Sequence, residues 1–144
     1  MIALIIAAAT AAAPHPVVHQ DQVDHQGARY SISYRPHVET DMRTIGQSVG
    51  SRPSTERCLW RATIQLEREI KRSDGGERLV KRVHGEGHEV EGHAQGKCAQ
   101  NRGQIKDMIA AKVAGAQERV VAMAQADRPA ALADIDAAHA LALN

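Results

Sequence analysis

Between residues 57 and 71 apolar and polar side chains alternate. The even positions read Cys58, Trp60, Ala62, Ile64, Leu66, Arg68 and Ile70, and the odd ones are polar apart from Leu59. A period of two is the mark of a β-strand with one buried face. A helix is the rival, because Leu59, Ala62, Leu66 and Ile70 also share a helical stripe and Pro53, Ser54, Thr55 and Glu56 resemble a helix start. A helix would leave Trp60 and Ile64 on its far side, whereas a strand buries both. The stretch also runs into Asp74-Gly75, a two-residue hairpin signal. In the register that turn implies, Ile70 faces Leu79, Leu66 faces Val83, Glu67 faces Arg82 and Cys58 lies opposite Glu91. The same register sets Arg68 against Lys81 on the nominally buried side. Two like charges do not bury together, so the hairpin tip is expected to project into water, with Cys58 to Leu66 as the buried part.

Upstream, Tyr30, Ile32, Tyr34, Val38 and Met42 occupy even positions among polar residues. They predict one strand, or two interrupted at Pro36, which marks a bend, a bulge or an edge position because it cannot donate to a ladder. After Cys98 the period becomes helical. Ile105, Met108, Ile109, Val113, Ala116, Val120, Met123 and Ala124 fall in one arc, which predicts a single amphipathic helix from near Asn101 or Gly103 to Asp127-Arg128-Pro129. A shorter helix follows, with Leu132, Ile135, His139 and Leu143 on one face. Any exposed remainder of either stripe is a candidate partner surface. The fold class is therefore α+β: a small antiparallel sheet, made of a long hairpin over residues 57–91 and the N-terminal strand or strands, covered by a C-terminal helical segment.

The first thirteen residues change the picture of where this domain works. Met1 to Ala13 is an apolar run ending in small residues, of signal-peptide length and too short to span a bilayer, although it lacks a Lys or Arg before the apolar part. Residues 1–12 are read as a signal peptide, residues 13–27 as a flexible tail carrying His15, His19 and His25, and residues 28–144 as one domain. No later segment is apolar enough to anchor the chain in a membrane. Periplasmic or secreted localisation gives the two cysteines a meaning. Cys58 and Cys98 form one structural disulfide, with neither CxxC nor zinc-finger spacing. Closing a loop of about 41 residues stabilises the fold by roughly 4 kcal/mol. That matters in a chain with no Phe, one Trp and two Tyr, whose core must be thin.

Charge and motifs exclude more than they assign. Eighteen basic and seventeen acidic residues give a net charge of +1, which offers no broad field for nucleic acid. The chain has no phosphate loop, nucleophile elbow or dinucleotide fingerprint. Its densest polar cluster runs from His84 to His93. On a continuous strand His84, Glu86 and His88 would share the solvent face and could hold zinc or copper. His88-Glu89 is followed by His93 at five residues rather than four, so this is not the metalloprotease motif. The simpler explanation, and the favoured one, is that three glycines loosen the strand and its polar residues are merely solvated. The reading that follows is a small exported, non-catalytic protein that binds a protein partner or envelope component. Divalent-metal binding through the His84 to His93 loop is the alternative, and a hydrolytic enzyme, which would need a concave site gathering these histidines with a carboxylate, ranks third.

Overall fold

The alternating stretch becomes the axis of the sheet. The computed structural model describes residues 16–143, and in it Arg57–Arg72 forms a strand, here β3, with neighbours on both sides. Ala28–Ile45 (β2) lies antiparallel along its whole length, from Tyr30 opposite Arg72 to Ile45 opposite Arg57. The other side is shared by Arg78–Arg82 (β4) and His88–Gln95 (β5), which follow one another along it. His19–His25 (β1) pairs with the first part of β2. Three helices, Arg102–Gly115 (α1), Gln117–Ala126 (α2) and Arg128–Ala142 (α3), cover one face, so the α+β class holds.

That face is built from the even positions of β3. Cys58, Trp60, Ala62, Ile64, Leu66 and Ile70 are all buried. They divide between two adjoining clusters. One joins Cys58, Trp60, Ala62 and Ala94 to Ile105 of α1. The other joins Ile32, Tyr34, Ile64, Leu66 and Ile70 to Ala116, Val120, Ala124, Ala131 and Ile135 from the later helices. The Cys58–Cys98 disulfide is formed, with 4.7 Å between the Cα atoms. It ties the centre of the sheet to the turn that opens the helical segment.

The hairpin keeps the expected register as far as β4, with Glu67 opposite Arg82, Arg68 opposite Lys81 and Ile70 opposite Leu79. The turn is longer than two residues. The Arg72 amide donates to the Glu77 carbonyl, and of Asp74 and Gly75 only the glycine has a positive φ, 82°. Burial also extends further towards the tip than like-charge repulsion predicts, because Arg68 is 2% exposed and Ile70 only 4%. Arg68 is buried together with carboxylates that come from the helices, which reasoning on the hairpin alone does not include.

Beyond Arg82 the return strand breaks. Val83 still keeps the register, its amide donating to the Leu66 carbonyl at 2.8 Å; residues 84–87 then leave the ladder, and β5 re-enters three positions out of the hairpin register, so Cys58 faces Ala94 rather than Glu91. Three is odd, and side chains alternate with period two. The slip therefore places Val90, Gly92 and Ala94 on the inner face and Glu89, Glu91 and His93 outside. Gly92 lies opposite Trp60. A Cβ there would sit 2.4 Å from Trp60 Cζ2, so the indole occupies the space a side chain would need. Gly92→Ala is expected to cost roughly 1–3 kcal/mol through this overpacking. A lower thermal midpoint, with red-shifted emission from Trp60, would report it.

Two further expectations need correction. Residues 19–25 are a strand rather than a flexible tail, because Gln26 and Gly27, with φ of 52° and 75°, make the primed type of turn that fits hairpin twist. β1 is then tied to α3: His25 Nε2 lies 2.6 Å from Asp136, Gln26 donates to the same carboxylate, and Arg128 pairs with Asp21 at 3.0 Å. The leader assigned to residues 1–12 and the start of the tail, residues 13–15, lie outside the described residues. The predicted long helix is also two helices, which part at Ala116 (φ −92°, ψ 6°) directly after Gly115, a poor helix former. The break lets Ala116 and Val120 pack onto the sheet as the chain changes direction. The second break comes where expected, at Asp127 before Pro129. Leu143, assigned to the inner face of the last helix, is 76% exposed.

Candidate functional site

The His/Glu loop is the first candidate, and its residues separate. His84 and Glu86 are exposed in the irregular stretch between β4 and β5. His88 begins β5 opposite Ile64, on the inner face and partly covered, while His93 lies opposite Leu59 on the outer face. The shared solvent face expected of His84, Glu86 and His88 is lost because the strand that would present it is interrupted. Among the described residues no group of three or more His, Cys, Asp or Glu side chains is placed to hold a metal ion. A cleft of about 310 Å³ beside this stretch is lined by His84, Glu86 and Asp127. It gathers neither His88 nor His93, and its Asp127 is already engaged by Arg68 and Tyr34.

That engagement forms a buried ion cluster. Arg68 Nη1 donates to Asp127 Oδ2 at 2.5 Å, and its Nη2 donates to Asp134. Lys81 Nζ reaches both Asp134 oxygens, at 3.2 and 3.3 Å, and the Tyr34 hydroxyl donates to Asp127 Oδ2 at 3.1 Å. Two cations meet two carboxylates, which is how a charged group survives in an interior. Burial, together with the Asp127 carboxylate beside it, pushes the Tyr34 hydroxyl well above its ordinary pKa. The cluster bridges β2, β3 and β4 to the start and first turns of α3. Only Arg68 Nε is buried there without a partner; the other charged groups engage one another, and we read the cluster as the polar joint between sheet and helices.

A predominantly apolar concavity lies elsewhere. α1 packs over β3 and β5, held there by Ile105 in the Trp60 cluster and by the disulfide just before it. The distal half of β2 is left beside it uncovered. A groove of about 610 Å³ results, within the range of small-molecule sites. Its sheet side is Pro36, Val38, Thr40 and Met42, the even positions of β2, and its helix side is Ile105, Ile109, Ala110 and Val113. Val17, Val18 and Val120 line it as well, and Arg102, Lys106 and Ala114 also contribute from α1. Met42 is 43% exposed and Val17 40%, so the apolar lining opens to solvent.

The β2 edge beside the groove is open too. Ladder pairing with β1 stops at Tyr34, whose carbonyl accepts from Val18. Residues two apart point their backbone groups the same way. Pro36, Val38, Thr40 and Met42 thus direct theirs to the edge that no described strand covers. Pro36 stands where its missing N–H would have faced that edge, which agrees with the edge position among its three expected readings.

No family model, curated protein or solved structure matches this chain.

The site therefore rests on its own geometry. Sequence reasoning places Val38 and Met42 on an apolar strand face and Ile105, Ile109 and Val113 in a helical arc whose exposed remainder is a candidate partner surface, but it does not bring the two stripes together. The available signal was a surplus: Val38 and Met42 prolong the apolar face of β2, and the arc on α1 is wider than one sheet contact needs.

Proposed function

We propose that this chain is a non-catalytic binding protein of an extracytoplasmic compartment, and that it takes an apolar guest in the groove between β2 and α1. The observation that carries the reading is the lining. Apolar side chains from two elements face each other across about 610 Å³, with exposed Met42 and Val17 among them, where a closed core would have brought the helix down onto the strand. Soluble proteins rarely leave such a contiguous apolar surface without use. The Cys58–Cys98 bridge supports an oxidising compartment, and no described helix is long and apolar enough to cross a membrane.

The test is titration with N-phenyl-1-naphthylamine, a neutral apolar dye that brightens when sequestered. Saturable binding with Kd in the micromolar range is expected, about −8 kcal/mol. Met42→Glu and Ala110→Glu place a charge in the groove at positions that are already exposed. Each should weaken the dye roughly tenfold or more, since an unpaired charge in an apolar site is costly, while circular dichroism shows the fold retained. Absence of saturable binding, or equal binding by both variants, would overturn the reading.

A further inference from the structure

We propose that the guest is a single-chain anionic amphiphile, a long-chain fatty acid, lying along α1 with its carboxylate at Arg102 and Lys106. This rests on the binding reading above and goes beyond it by assigning the chemistry of the guest.

The first observation is the placement of charge. Arg102 and Lys106 lie four residues apart, on one side of α1, and both line the groove. Both are exposed, and neither has an ion-pair partner among the described residues. Cations on the sheet are mostly engaged: Arg61 pairs with Glu89 and Arg82 with Glu39. Among the described residues no carboxylate lines the groove, so its lining is positively charged at one end. Asp107 follows Lys106 in sequence, but adjacent helical positions do not face each other, and it is not part of the lining.

The second observation is shape. Thr44 of β2 accepts the Cys98 amide just before α1 begins, which sets the start of α1 beside the end of β2. The cations therefore belong to the Met42 end, and the opposite end is lined by Val18, Val113 and Val120. From Arg102 to Val113 α1 rises about 16 Å at 1.5 Å per residue, and Val120 of α2 prolongs that wall, so the groove takes most of a long acyl chain. A charged mouth and an apolar run match a molecule with one anionic head and one tail. The first turn of α1 carries no acidic residue and has no side-chain cap, so its free amides add to the attraction for an anion.

An extended peptide added to the open β2 edge is the competing guest. It would use the backbone of Val38, Thr40 and Met42, but Pro36 withholds a donor at one end of that row, and strand addition gives no reason for two unpaired cations at the other.

The experiment is displacement of N-phenyl-1-naphthylamine from the disulfide-intact protein by palmitate, hexadecanol and hexadecyltrimethylammonium below their aggregation limits. Palmitate should displace the dye roughly tenfold more tightly than hexadecanol, the scale of a charge-assisted contact at a partly exposed site, and the cationic detergent should be weakest. In the double variant Arg102→Gln with Lys106→Gln, palmitate and hexadecanol should become equivalent. If the dye binds but wild-type protein treats palmitate and hexadecanol alike, the anionic assignment fails while the groove reading stands. If an apolar decapeptide displaces the dye and palmitate does not, the guest is a strand and the proposal is overturned. Flotation with phosphatidylglycerol vesicles without displacement by palmitate would overturn it in favour of a membrane surface. Failure of the dye itself to bind would be failure of the groove reading.

Discussion

Asp127→Ala is expected to destabilise the protein by about 3–5 kcal/mol, because it leaves Arg68 charged and half-paired in the interior. Arg68 and Asp127 are 3% and 6% exposed at their side chains, and Tyr34 loses its acceptor in the same step. Urea unfolding would measure the loss. A second variant separates charge from packing: Arg68→Met with Asp127→Leu removes both partners, fills the space with apolar volume and should lose less than Asp127→Ala alone. If Asp127→Ala unfolds at the wild-type midpoint, the joint between sheet and helices is not where we place it. The same site sets an alkaline limit. The folded chain holds the Tyr34 proton above the ordinary value of 10.0, where the unfolded chain has released it. The unfolded chain then binds fewer protons, so stability is fully present below about pH 10 and declines as pH rises beyond it. Tyr34→Phe should flatten that decline in a series of urea midpoints, although it also starts from a lower value.

The second large effect is expected at the disulfide. Replacing both cysteines by alanine should cost about 4 kcal/mol in the chain-entropy picture. For a domain of this size that lowers the thermal midpoint by roughly 10 °C or more. Cys58 is fully buried beside Trp60 and Ile105, so the double alanine variant loses packing as well as the tether. Differential scanning calorimetry of the variant and of reduced, alkylated protein would give the two contributions. An unchanged midpoint would remove the staple from the account of stability. Because Cys98 precedes α1 by only a few residues, the untethered protein should also bind the naphthylamine dye more weakly as the groove wall loosens.

What the sequence shows of this fold depends on how local the cause is. The inner face of β3 is legible because six of its seven even positions from 58 to 70 are apolar, and the disulfide is expected from having two cysteines and an apolar N-terminal run. The Ile105 to Ala124 arc is legible for the same reason, since periodicity is local. Arg68 was misjudged because its burial depends on Asp127 and Asp134, which lie 59 and 66 residues further on. β1 was missed because its inner face is His19, Asp21, Val23 and His25: it meets the polar side of α3, Arg128 and Asp136, and shows almost no hydrophobic alternation. The register of β5 was missed because Asp74-Gly75 fixes only the strand next to it. The groove was half legible. Each wall is an apolar stripe in the sequence, but nothing local says that the two stripes stand apart.

The interruption at residues 84–87 has a use. β4 is held in place by the turn and by Lys81 at the ion cluster, and β5 by Gly92 under Trp60 and by Ala94 opposite Cys58. Neither ladder needs the segment between them to have a particular length. Gly87 is packed too tightly against Thr63 and Ile64 to change, but a Cβ at Gly85 would meet no atom within 4 Å. Gly85 and Glu86 are both exposed, so a tag or fluorophore spliced between them is expected to leave both ladders and the groove lining in place, provided Gly85 itself, with φ of 146°, stays glycine.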